Sequence, residues 1–105
     1  MSPEDQNLAD WIKLLNSGYK QCMGVMETQM KYHFFCAIGL FLKHKVGHTQ
    51  YDTPSAIFKV AEMTGLSRPE VGEIMEANDG LRYSFSQIAN VLQHKLEERT
   101  KYAKV

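Results

Sequence analysis

No block of like charge occurs anywhere in this sequence: twelve Lys and Arg balance twelve Asp and Glu, and the chain is formally neutral. The overall charge footprint of a nucleic-acid or membrane-surface binder is therefore absent, and any such contact must be local. Long hydrophobic runs are also missing. The most apolar stretch, Phe34 to Leu42, is nine residues and is closed by Lys43, His44 and Lys45, whereas spanning a bilayer takes about 20. Cysteine is limited to two residues, and the Met-Ser-Pro-Glu-Asp start carries no signal-peptide pattern, which together imply a reducing cytoplasm, no disulfide and no membrane. Internal repeats, low-complexity tracts and long Gly/Ser linkers are lacking too, so residues 1–105 read as a single helical domain.

What is present is organised around the stretch His33 to Leu42. With no polar face left for water, it reads as a buried central helix. Gly39 in its middle weakens the helix unless something gains from the missing side chain, and a second helix crossing close over it is the expectation. Ahead of it, Ser2-Pro3-Glu4-Asp5 supplies a cap, a first-turn proline and acids at the positive end of the dipole. Leu8, Trp11, Ile12 and Leu15 follow at helical spacing, and Asn16-Ser17-Gly18 supplies a stop. From Tyr19 to Lys31 no period survives, so an irregular or partly helical connection is expected, with Met23, Met26 and Met30 as core filling or an adaptable surface.

After Val46-Gly47-His48-Thr49, Thr53 reads as a cap and Pro54 as the first turn of a third helix, with Ile57, Phe58, Val60, Ala61 and Met63 as its apolar face and Gly65 as its end. Ser67 and Glu70 form a capping box for a short fourth helix through Val71, Ile74 and Met75, broken at Asn78-Asp79-Gly80. Ser84 and Gln87 form another, opening a long last helix through Ile88, Leu92 and Leu96 into a mixed-charge end with Glu97, Arg99, Lys101 and Lys104. The expectation is an all-α fold: a compact bundle of about five helices around the central apolar one, with no strand.

Three groups of residues, Trp11 through Gln21, Cys36-Ala37-Ile38-Gly39-Leu40, and Asn78-Asp79 followed by Ser84-Phe85 and Ile88-Ala89, carry a resemblance. In that order they are similar to the landmarks of a family of small uncharacterised proteins of tailed bacteriophages and prophages. The resemblance spans about Trp11 to Leu96 and implies a phage or prophage origin. No catalytic residues are established for that family, so it implies no chemistry. Ala37 stands where a second cysteine is common, a residue that often precedes the tyrosine is missing at Tyr19, and the turn after Asp79 is longer than usual.

Several candidate sites follow from the residues. His33 and Cys36 could share a helix face, with Cys22, His44, His48 and His94 available to complete a zinc site, but no second close ligand pair supports one and no metal or cofactor is expected. Cys36 amid Phe35, Ala37 and Ile38 should be inert rather than nucleophilic, and the protein reads as a non-enzyme. A sharper pattern is Ala61, Gly65 and Val71 with Val60, Leu66 and Ile74 apolar, which has the spacing of a DNA-binding helix-turn-helix. Its would-be recognition helix offers Glu70, Glu73 and Glu76 against one Arg68, the wrong sign for a phosphate wall. Arg68, Glu70, Glu73, Glu76 and Asp79 are therefore expected to form a protein-docking surface, with a host or phage protein as partner and inhibition of a host defence system as one role. The alternatives are a helix-turn-helix DNA-binding regulator, and a homo-oligomer that sequesters a nucleotide-like ligand with Tyr32, Tyr51, Tyr83 and nearby His and Lys residues.

Overall fold

The structure, a computed structural model, describes residues 1–29 and 33–103. Five helices dominate it: α1 (Pro3–Leu15), α2 (Ala37–Lys45), α3 (Thr53–Thr64), α4 (Arg68–Asp79) and α5 (Phe85–Ala103). They enclose one core in which Leu8, Trp11, Ile38, Leu40, Phe41, Leu42, Val60, Val71, Ile88 and Leu92 are fully buried. The fold is all-α, as the helical periodicity predicts, with α2 at its centre: α1, α3 and α4 all pack on it. Trp11 pins α1 to the start of α2, its indole N–H donating to the Ala37 carbonyl at 2.9 Å and its ring packing on Phe41 with centroids 5.2 Å apart. A buried indole needs such a partner for its polar end.

Helix ends follow the cap chemistry with one shift. Ser2 caps α1, and the Ser67–Glu70 box opens α4 with both reciprocal bonds made. Ser84 and Gln87 do the same ahead of α5, at 2.8 and 3.1 Å. For α3 the cap is Asp52 rather than Thr53, its carboxylate accepting from Ser55 N at 2.8 Å. Asp52 is extended and stands one residue earlier, which leaves Thr53 and Pro54 in the first turn. Gly65 ends α3 at φ 72°, the left-handed conformation that a side chain disfavours. Phe58, expected on the apolar face of α3, is instead 52% exposed; Ala56, Val60 and Thr64 are the buried positions of that helix.

The central helix starts later than its apolar run. His33–Phe35 is a strand, β3, flanked by β1 (Lys20–Gln21) and β2 (Glu27–Gln29) in a sheet ordered β1-β3-β2, the first pair parallel and the second antiparallel. The expectation of no strand is thus corrected for three short ones. Aromatic residues suit a pleated strand, and Cys36 sets the boundary: its backbone is extended, its N–H donates to the Met26 carbonyl at 3.0 Å, and its sulfur accepts from Gly39 N at 3.2 Å as the cap of α2. The segment from Tyr19 to Gln29, expected to be irregular or partly helical, is a strap carrying β1 and β2. It also supplies the close neighbour of Gly39. A Cβ there would lie 2.7 Å from the Met26 carbonyl carbon and closer still to its oxygen, so the glycine admits the strap backbone and not a crossing helix.

Candidate functional site

Asn78 is the residue on which the fold's polar interior converges. It lies in the last turn of α4 and is 1% exposed. Its Oδ1 accepts from Ala37 N at 3.2 Å and Gln21 Nε2 at 2.8 Å, while its Nδ2 donates to the Cys22 carbonyl at 2.9 Å and to Asp79 Oδ1 at 2.7 Å. Ala37 N can only donate and the Cys22 carbonyl can only accept, so the amide orientation follows from its neighbours. Gln21 donates also to the Tyr83 carbonyl at 2.7 Å, and Asp79 Oδ1 accepts from Gly24 N at 2.9 Å. The strap, the start of α2, the end of α4 and the turn before α5 are tied at one point. The Asn78-Asp79 pair is therefore not a simple helix break: α4 runs to Asp79, and Gly80 is the residue that closes it.

Gln21, Ala37 and Asn78-Asp79 belong to the three residue groups of the sequence resemblance, and here they meet in this network. Every amide valence of Asn78 is filled by the protein itself, so its side chain is spent on holding the fold. Cys36 is 3% exposed, and burial pushes its thiol up to about 11. Desolvation also raises the Cys22 thiol. Both stay protonated at neutral pH, the inert condition expected of cysteines in apolar surroundings. The zinc candidates disperse: His94 is largely exposed on α5, His48 stacks on Tyr51 with centroids 4.9 Å apart, and His44 packs edge-on against Tyr19. Among the described residues no group of three or more His, Cys, Asp or Glu is placed to hold a metal ion. The side chain of His33 lies outside what the structure describes, as do Met30, Tyr32 and Lys104. Tyr51 and Tyr83 line different hollows of the chain, one beside the strap and one between α4 and α5.

The five residues expected on the docking surface separate. Glu70 turns toward α5, where Lys95 Nζ donates to it at 2.9 Å; the bond from Ser67 N first, and then the one from Lys95, hold its carboxyl below the usual glutamate range. Asp79 turns toward the strap and accepts from Gly24 N. Arg68 stands over the exposed Phe58 ring, its guanidinium carbon 5.7 Å from the centroid, a cation–π placement. Of the four acids in the set, Glu73 and Glu76 alone are exposed without an ion pair among the described residues. Four- and three-residue steps from Pro69 to Glu73 to Glu76 to Gly80 put these on one outward stripe of α4.

The ends of that stripe carry what the sequence did not reveal. Phe58 with Ala61, Leu66 and Pro69 lines a hollow at the start of α4, and Leu81, 60% exposed, borders a groove of about 330 Å³ at its end with Ile74, Ala77, Tyr83 and Val91. Phe58 falls at helical spacing among apolar neighbours and Leu81 inside a polar turn, so periodicity gave no sign that either would face outward.

α3 and α4 meet through the left-handed Gly65 turn, with Val71 and Ile74 seating α4 in the core. No helix among the described residues is long and apolar enough to cross a membrane. No protein-family model, curated protein or solved structure matches this chain.

Proposed function

We propose that this protein is a non-enzymatic binding module that docks on another protein through the outward stripe of α4. In the phage setting that the sequence resemblance implies, its place is the host cytoplasm. Its partner there is a host or phage protein, and inhibition of a host defence system is the role such docking would serve. One observation carries the reading: a helix seated as a recognition helix would be presents Glu73 and Glu76 to solvent between the exposed apolar side chains of Phe58 and Leu81. Apolar anchors beside charge are what protein partners use. A phosphate backbone would meet two unpaired carboxylates. The strongest nucleophile candidate, Cys36, is buried with its thiol held protonated, which supports a non-enzymatic role.

A DNA-binding regulator is the second reading, and the α3–Gly65–α4 shape favours it. One titration separates the two. The full chain is measured against random and promoter-like duplexes at physiological salt, beside capture of host and phage proteins by the parent and by the Glu73→Lys, Glu76→Lys double variant. A protein retained by the parent and lost by the variant is expected, with salt weakening its capture. Sub-micromolar, sequence-dependent duplex binding by the parent would overturn the docking reading.

A further inference from the structure

Leu81 is exposed by construction. Gly80 N and Leu81 N both donate to the Glu76 carbonyl, at 2.8 and 3.0 Å, and Tyr83 N donates to the Ala77 carbonyl at 2.8 Å. Between them Arg82 takes φ 57°, the single positive φ of a non-glycine residue among those described. A side chain disfavours that conformation, so the hydrogen-bonded turn keeps Leu81 at 60% exposure at some cost to its backbone. Such outliers gather where the surroundings over-determine them, often beside functional surfaces.

The groove beside it is floored by Ile74 and Ala77 and walled by Leu81, Tyr83 and Val91. Lys95 on the α5 rim is already paired with Glu70 at 2.9 Å. Glu73 and Glu76 on the α4 rim have no ion pair among the described residues, and Arg82 does not line the groove. The uncompensated rim charge is therefore negative. α4 and α5 border the groove with backbone groups bonded within their own helices, and the turn that carries Leu81 and Tyr83 spends both of their N–H groups on the Glu76 and Ala77 carbonyls, so an extended strand would find no ladder to join. A helix brings its own backbone bonds already made and needs only an apolar stripe.

We propose that this groove receives the apolar stripe of a basic amphipathic helix belonging to the partner protein. The proposal rests on the protein-docking reading and names the chemistry of what docks. Lys or Arg side chains beside that stripe would reach Glu73 and Glu76, while one large aliphatic or aromatic side chain fills the space against Leu81, Tyr83 and Val91.

The test uses the full chain and two synthetic helical peptides with identical leucines at i, i+3, i+4 and i+7, one with lysine and one with glutamate at its polar positions. Methyl and ring resonances of Leu81, Val91 and Tyr83 report occupancy. The lysine peptide should shift these resonances and bind at least about tenfold more tightly than the glutamate peptide, with the gap closing as salt rises. Leu81→Ser, a change at an exposed position, should weaken it about tenfold or more. Equal binding of the two peptides, shifts confined to other surfaces, or no binding of the lysine peptide would each overturn the proposal. Failure of the wider reading looks different. A captured partner that is lost with Glu73→Lys and Glu76→Lys but held by Leu81→Ser keeps protein docking and removes the groove, whereas a partner indifferent to all three removes both.

Discussion

Replacing Asn78 by alanine probes the junction on which this fold closes. Two main-chain groups, one buried and one partly buried, depend on that amide: Ala37 N, in the first turn of α2, loses its acceptor, and the Cys22 carbonyl loses its donor. Gln21 keeps the Tyr83 carbonyl and Asp79 keeps Gly24 N, so those two residues are not orphaned. A buried group left unsatisfied costs about 1–3 kcal/mol, so Asn78→Ala should destabilise by roughly 3 kcal/mol. The loss should be uneven. Hydrogen exchange should quicken first at the strap amides from Lys20 to Thr28, because the strap is held to the bundle there, while the α1–α5 contact keeps its protection. Asn78→Asp sharpens the test, since the introduced carboxyl would sit buried against Asp79 and stay protonated to a higher pH when folded than when unfolded. A group with a raised folded pKa favours the folded state below that pKa, so this variant should regain stability relative to the parent as pH falls. Chemical denaturation of both variants across pH measures this. A loss under about 0.5 kcal/mol for Asn78→Ala, the range of an ordinary surface change, would refute the reasoning, as would a pH-independent difference between Asn78→Asp and the parent.

Gly39→Ala should destabilise by about 1–3 kcal/mol, because the added Cβ meets the Met26 backbone and not a side chain that could turn aside; a denaturation midpoint equal to the parent's would remove the close approach. Glu73→Lys and Glu76→Lys should stay within about 0.5 kcal/mol of the parent, whereas Glu70→Lys should cost roughly 1 kcal/mol through the lost cap of α4 and the repelled Lys95. Glu70 and Asp10 both have carboxyl pKa values lowered in the fold, the first by Ser67 N and Lys95, the second by Lys45 and Gln6. Their contribution is therefore complete above the unfolded carboxyl range near about pH 4 and lost as pH falls through the lower folded values; Glu70→Gln should flatten that acid limb in thermal scans. A thiol reagent at neutral pH should label Cys22 slowly and leave Cys36 unmodified until the protein unfolds; rapid labelling of both in the native state would contradict the burial of Cys36.

Helix positions were legible because their signals are local. Ser67 with Glu70, Ser84 with Gln87, and Gly65 each act within a few residues, and the structure realises all three. The sheet was not legible. Its strands are two or three residues long, and their pairing is decided by Cys36 and Gly39 accepting the strap from a distance. Gly39 illustrates the limit: sequence shows that a small residue needs a close neighbour, but not whether that neighbour is a helix or a strap. The proposed docking surface was half legible. Charge and helix-turn-helix spacing pointed to α4, yet of its acids only Glu73 and Glu76 stay outward and unpaired, because Glu70 and Asp79 found partners on α5 and the strap. Asn78 read as turn chemistry, since nothing in its immediate neighbours discloses the backbone groups it satisfies across the fold.

Photo-crosslinking from the α4 face tests the central claim most directly. A photoreactive side chain placed at Glu73 in the full chain, and separately at Gln93 on α5 as a control, is activated in cells that express the protein. The account predicts a discrete protein adduct from position 73 alone, lost when Leu81→Ser is added. Adducts to DNA from position 73, or the same adducts from both positions, would contradict it.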